Sequence, residues 1–257
     1  MNREAEGLTA VILAAGVGSR LGKSYPKPLT ILHDGASILE QLLGKLDPYV
    51  GADNVWIVVG YKKGLIMEEF PSNVYVYNDR FSATNTAKSL LRAASKCSGH
   101  DLLWINGDVV LDEAVIAQVL DAPGSSAAVA PGPVGDEEVK YITDGVGAIR
   151  QISKAVSDAE GEAVGVNLIR AADLSTFVSC LERCADDDYF ERGMELAIDE
   201  GVRVQAVDIS ACRCVEIDSQ EDLDRARGLW RARARQPAAI ASISGSRRRM
   251  VADARPA

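Results

Sequence analysis

The chain has 257 residues, 47% hydrophobic and 25% charged, enough apolar material for one large globular domain, and no stretch of it approaches the ~20 apolar residues of a membrane span. Residues 231–257 hold seven arginines and one aspartate, +6, which leaves −15 on the body of a chain whose net charge is −9. An acidic body excludes a broad nucleic-acid-binding surface, so a bound anion has to be met by a local cluster of bases and a metal.

The elements then follow in order. Ala10 to Ala15 is a short apolar run ending in a glycine loop, the pattern of a buried strand that delivers its C-terminal end into a turn. Ile38 to Leu46 has helical spacing with Ser37 as N-cap. Val55 to Val59 is a second strand, Leu65 to Phe70 a short helix, Val74 to Tyr77 a third strand, Thr84 to Ala94 a helix, and Leu102 to Ile105 a fourth strand that stops at Asn106-Gly107-Asp108. After Asp108 the rhythm changes. Val115 to Leu120 is helical, Ala127 to Ala130 a strand, and Val139 to Ile142 pairs with Ala148 to Ile152 around the turn at Thr143-Asp-Gly145. Gly165 to Ile169 is a strand, Leu174 to Arg183 and Tyr189 to Glu200 are helices, and Val202 to Val207 is a strand. Cys214 to Ile217 leads to Asp218, and Ser219 with Asp222 opens a last helix through a shortened-acid capping box.

Alternating elements with continuously apolar strands call for an α/β fold: a Rossmann-like, mostly parallel sheet with helices on both faces, followed by a small β-rich region. One domain is expected over 1–235, and 236–257 as a disordered basic tail. The five cysteines (Cys97, Cys180, Cys184, Cys212, Cys214) read as free thiols, with a zinc site as the alternative. The apolar run from Leu8 is too short for a signal peptide, and the expected location is the cytoplasm.

The chemistry centres on residues 10–29. Glycines 16, 18 and 22 leave amide N–H groups free to approach a polyphosphate. Arg20 and Lys27 add positive charge, and Pro26 and Pro28 restrict the backbone on either side of Lys27. Neither the dinucleotide fingerprint nor the P-loop fits the glycine spacing. In a parallel sheet, ligands sit at the C-terminal ends of the strands, where Gly16 to Arg20, Asn78-Asp79 and Asp108 all fall. Asp108 and Asp218 each close a strand and each precede a helix, so both read either as ligands of a hard cation such as Mg²⁺ or as caps.

The pair of motifs Leu13-Ala-Ala-Gly16-Val-Gly18-Ser-Arg20-Leu-Gly22 and Pro26-Lys27-Pro28-Leu29 resembles the signature of the nucleotidyltransferases that activate sugar phosphates and small alcohol phosphates. Further matching pieces, from Asn78 to Leu90, Asn106 to Asp108, Asp136 to Lys140, Ile152 to Lys154, Gly161 to Val166, Tyr189-Phe190 and Glu216 to Asp218, are similar to the cytidylyltransferase branch, whose members act on phosphocholine, 2-aminoethylphosphonate and related phosphonates. The resemblance covers Leu8 to about Arg227. It implies that Arg20 and Lys27 are catalytic and hold the triphosphate, with Lys27 nearest the α-phosphorus, and that Asp108 and Asp218 carry Mg²⁺. Leu13, Ala14, Ala15, Gly16, Gly18 and Ser19 would bind the nucleotide with Thr84, Asn85 and Ser89, while Lys140, Lys154, Glu162 and Tyr189 would meet the acceptor in the β-rich region. CTP and a small phosphate or phosphonate are the implied partners, and a homodimer the implied assembly.

Two lysines in short strands, Lys140 and Lys154, also read as solvated surface residues, and Asn85 as a first-turn residue capped by Thr84. Tyr141, Tyr189 and Phe190 suit either a cation–π wall for a quaternary ammonium or core-edge packing. A hexose-1-phosphate uridylyl- or thymidylyltransferase is the enzymatic alternative, against which the compact segment from Asp108 to Lys140 argues. A nucleotide-binding regulatory subunit is the alternative from another class. The joint presence of Arg20, Lys27, Asp108 and Asp218 argues against it.

Overall fold

The computed structural model describes residues 7–18 and 25–234. The segment expected to be a disordered tail, 236–257, lies outside the described residues, as do Ser19, Arg20 and Gly22.

A nine-stranded sheet organises the chain. Its first half is the expected parallel core, in which β1 (Leu8–Ala14) lies between β2 (Val55–Val59) and β4 (Asp101–Asn106), with β3 (Val74–Tyr77) outside β2. Helices α1 (Ile38–Leu46), α2 (Lys63–Glu69) and α3 (Thr86–Ala94) provide the crossovers. The absence of polar alternation in β1 now has its cause. Ala10, Ile12 and Ala14 face a core that includes Leu39, Leu42 and Ile116, whereas Val11, Leu13 and Ala15 face another containing Leu90, Phe177 and Phe190. Each large side chain removed from water in this way contributes roughly 1.5–3 kcal/mol. Trp104 of β4 anchors the second core, stacked on Phe177 at 5.2 Å and meeting Phe190 edge-on at 5.5 Å.

Past Asp108 the chain adds β5 (Val109–Leu111), α4 (Glu113–Asp121), β6 (Ser125–Pro131), the hairpin of β7 (Lys140–Thr143) and β8 (Ile149–Ser153), β9 (Gly161–Ile169), α5 (Ala171–Arg183), α6 (Phe190–Asp199), β10 (Val204–Asp208), β11 (Cys214–Glu216) and α7 (Gln220–Ala234). The sheet is mostly parallel, with a correction at β9, which is inserted between β4 and β6 and runs antiparallel to both. An apolar strand buried on both faces carries no mark of its direction, so the sequence pattern could not have shown this. β9 is also longer than its apolar stretch suggests. Its register against β6 shifts at a bulge where Gly165 takes φ +71°, and a Cβ there would lie 2.6 Å from the Asn106 side chain.

Three local details refine the sequence reading. Asn85, rather than Thr84, caps α3, its side-chain oxygen accepting from the Thr86 amide at 2.9 Å. Ser37 forms a full capping box with Glu40. Ser219 and Asp222 reciprocate as expected at the start of α7, the Asp222 amide donating to Ser219 Oγ at 3.2 Å and the Ser219 amide to Asp222 Oδ2 at 2.9 Å. All five cysteines are free thiols, and among the described residues none belongs to a group able to hold a metal. No helix among the described residues is long and apolar enough to cross a membrane.

Candidate active site

The C-terminal ends of β1 and β4 open into a cavity of about 680 Å³. Leu13, Ala14, Gly16 and Gly18 border it. Gly18 has φ +61°, a left-handed conformation suited to glycine, and a Cβ there would sit 3.0 Å from Lys27 Cβ. A side chain at Gly16 would instead project into open space. Ala15 is buried just beneath, its carbonyl accepting from the Tyr61 amide at 3.0 Å.

Lys27 starts a single 3₁₀ turn, Lys27–Leu29, closed by the Leu29 amide donating to the Pro26 carbonyl at 3.0 Å. That turn buries the lysine stem and points its ammonium into the cavity. Nζ donates to Asp108 Oδ2 at 2.7 Å and to Asp218 Oδ1 at 2.6 Å. Burial by itself would lower the lysine's pKa, but the two carboxylates outweigh it and hold the pKa above its ordinary value, so the ammonium stays charged.

What joins residues 108 and 218 is a two-stranded antiparallel ribbon. β5 and β11 pair with Val109 opposite Glu216, and the Ile217 amide donates to the Asp108 carbonyl at 3.0 Å. Arg213 ties the same ribbon down, its Nε donating to Asp112 Oδ2 at 3.0 Å while its guanidinium lies 4.4 Å from the Trp230 ring centroid. Gly107 lets β4 close onto β1, because its amide donates to the Leu13 carbonyl at 2.9 Å, and a Cβ would lie 2.6 Å from that oxygen.

The ribbon brings a third carboxylate into the same place. One oxygen each from Asp108, Glu216 and Asp218 lie within 4.8 Å of one another. Glu216, though partly open to solvent, has its carboxyl pushed above the ordinary glutamate range by desolvation and by the facing Asp108 and Asp218 charges. The second oxygen of Asp108 is buried and has no hydrogen-bond partner among the described residues. An all-oxygen donor set with an unsatisfied buried acceptor fits a hard cation of the Mg²⁺ type better than a nitrogen- or sulfur-seeking metal.

Of the other expected residues, Asn85, Lys154, Glu162 and Tyr189 border the cavity. Lys154 Nζ lies 3.4 Å from Glu137 Oε2 and 5.5 Å from the Tyr189 ring centroid, and the Glu162 carboxyl is raised by burial and by Glu138. Thr84 and Ser89 do not border it. Buried Asn78 takes them both, its Nδ2 donating to Thr84 Oγ1 and to Ser89 Oγ, each at 3.0 Å. Lys140 stands behind the wall, donating to the Lys154 carbonyl at 3.2 Å. Of the three aromatics, Tyr141 is buried in the core and the Phe190 ring packs on Trp104, which leaves Tyr189 with an exposed ring.

Two acids were not singled out by the sequence reading. Glu216 follows a valine in a short strand, and Glu191 sits in the first turn of α6, where any acid is favoured by the helix dipole. Glu216 does lie in the matching piece Glu216-Ile-Asp218, where the resemblance gives a role to Asp218 alone, whereas Glu191 carries no distinguishing sequence signal.

The sequence profile of the MobA-like NTP transferase domain matches residues 10–251. A CMP-5'-(3-aminopropyl)phosphonate synthase from Streptomyces rubellomurinus is 32% identical over 236 residues, which is 83% of this chain and 37% of that protein, so the chain spans well under half of that relative's length. Among solved structures, a CTP:phosphocholine cytidylyltransferase from Streptococcus pneumoniae superposes with a TM-score of 0.70 at 20% identity, over 87% of this chain and 99% of that one. An inositol-1-phosphate CTP transferase from T. maritima does so with a TM-score of 0.71 at 18% identity, over 86% and 93%. Likeness at those identities shows a shared fold.

Proposed function

The chain belongs to the MobA-like NTP transferase domain family, and on that footing we propose that it transfers CMP from CTP to a small phosphate or phosphonate and releases pyrophosphate. The observation that carries this is convergence: the glycine loop after β1, the buried Lys27, and carboxylates from the ends of β4 and β11 meet in one cavity. The aminopropylphosphonate relative supports the choice of cytidine and of a phosphonate acceptor.

In such a transfer an acceptor oxygen attacks the α-phosphorus in line, forming one P–O bond as the bond to pyrophosphate breaks. A phosphate or phosphonate is already anionic near neutral pH, so no side chain has to remove a proton. The work left to the protein is bringing anions together and stabilising the charge that accumulates on the transferring and leaving groups. The open amides around Gly16 and Gly18 suit the triphosphate, and Arg20, from the matching motif, would join them. Lys27, fixed by its turn and kept protonated by its two carboxylates, is the fixed charge for the α-phosphate. Asp108 and Asp218, with Glu216 beside them, would hold Mg²⁺, which when bound offsets phosphate charge and orients the phosphates. Lys154, at the opposite wall, is the candidate partner for the acceptor's phosphonate.

The test is pyrophosphate release with Mg²⁺, each of CTP, UTP, ATP, GTP and dTTP being offered with phosphocholine, aminoalkylphosphonates, inositol phosphate and glucose 1-phosphate. Turnover confined to CTP with a small phosphate or phosphonate is expected. Turnover confined to UTP or dTTP with a hexose phosphate would overturn the proposal.

A further inference from the structure

Beyond the three carboxylates around Lys27, the cavity is lined by more acid than the nucleotide or its metal requires, and one of these acids, Glu191, also bears electrostatically on Glu216. Glu137, Glu138, Glu162 and Glu191 all border the cavity, with Lys154 and Arg225 as bases at its edge, Arg225 acting on Glu162. Glu191 is the unusual member. Its residue is only 8% exposed, it borders the cavity, and its Oε2 is buried without a hydrogen-bond partner among the described residues. Lys154 bears on it electrostatically, yet the Lys154 ammonium reaches Glu137 rather than Glu191. Glu195, on its own helix, adds a like charge. Glu138 has an unpartnered buried Oε2 as well.

A buried carboxylate oxygen without a donor, in a residue that borders a ligand cavity, is costly when left so, and the cost is removed by a ligand that reaches it with a donor, most of all a charged one. We propose that Glu191 receives a primary ammonium group on the acceptor, so that the acceptor is an aminoalkyl phosphonate or phosphate and not a quaternary ammonium or a polyol. A primary ammonium offers three N–H donors to the orphaned oxygen, and its charge offsets the surrounding glutamates. A trimethylammonium has no N–H to offer, and among the described residues Tyr189 is the one exposed aromatic ring that borders the cavity and could serve as a cage wall. A polyol supplies donors without charge and leaves four glutamates against the two bases Lys154 and Arg225. This inference rests on the cytidylyl-transfer reading for the other half of the acceptor, its phosphonate.

The experiment compares 3-aminopropylphosphonate, its N,N,N-trimethyl analogue and propylphosphonate, using the full chain, CTP and Mg²⁺. Calorimetric binding of each acceptor, with a non-hydrolysable CTP analogue present, is measured in parallel. The amine is expected to bind about 10- to 100-fold more tightly than either analogue, the range of a charge-assisted hydrogen bond in a buried site. In Glu191→Gln that ratio should fall towards one, while Glu191→Asp, which keeps the charge, should retain part of it. Circular dichroism establishes that each variant is folded. Amine-dependent binding that Glu191→Gln abolishes, without turnover by any nucleotide, would uphold the ammonium site and sink the transfer reading instead. Equal binding of amine and propyl compounds, or a ratio untouched in folded Glu191→Gln, would overturn the inference.

Discussion

Glu191 also makes a prediction about stability that needs no substrate. Desolvation pushes its carboxyl up to about 7 from an ordinary glutamate's 4.5, against a smaller opposing pull from its own backbone amide and Lys154. The folded state therefore holds the proton more tightly than the unfolded chain does. Below pH 4.5 both states are neutral there and the residue costs nothing in charge. Between 4.5 and about 7 the unfolded chain ionises first and stability falls as pH rises; above about 7 the full cost is in place. The interval at about 1.4 kcal/mol per pH unit comes to about 3 kcal/mol, an order-of-magnitude figure. Glu191→Gln cannot ionise, so its stability relative to wild type should climb by about that amount between pH 4.5 and 8. Urea unfolding of both proteins at half-unit intervals gives the difference directly, and titrations common to both cancel in it. A difference that stays flat across this range would show that Glu191 is not a desolvated acid, and would remove the reasoning that it waits for a cation.

Lys27→Met removes the fixed ammonium but keeps the apolar stem that the 3₁₀ turn buries, so the fold should survive while kcat falls by about a thousandfold or more; single-turnover pyrophosphate release measures it. Asp108→Asn should raise the Mg²⁺ concentration for half-maximal rate about tenfold or more, since even outer-shell partners of a metal cost that much when lost, and a Mg²⁺ titration at saturating CTP reads it. Gly165→Ala forces a side chain into a left-handed bulge and towards Asn106, which should cost about 2 kcal/mol and lower Tm by roughly 4–8 °C in a thermal melt.

Much of the candidate site was legible in the sequence because the proposed chemistry calls for residues of special covalent character. Only glycine takes the conformation of Gly18 at no cost, and only proline pre-sets the backbone on either side of Lys27, so these residues mark the loop whatever the rest of the fold does. Asp108 was visible for a related reason, being the first polar side chain past a buried strand and a glycine. The cap of α7 was readable too, since Ser219 and Asp222 satisfy each other within a single turn.

What remained hidden depends on contacts between distant segments. Thr84 and Ser89 look like ligand-facing polar residues, yet the buried Asn78 claims their hydroxyls, a competition visible only once the end of β3 lies against α3. Glu216 becomes part of a carboxylate cluster through a three-residue ribbon too short to show a period. Glu191 acquires its character chiefly from burial, with a like charge from Glu195 adding to it. In the sequence it is one more acid at the start of a helix, and the desolvation that raises its carboxyl arises from the packing around the first turn of α6. Backbone conformation and local capping are properties of a few consecutive residues and so are written in the chain; the electrostatic environment of a side chain is a sum over everything packed around it, which only the tertiary structure decides.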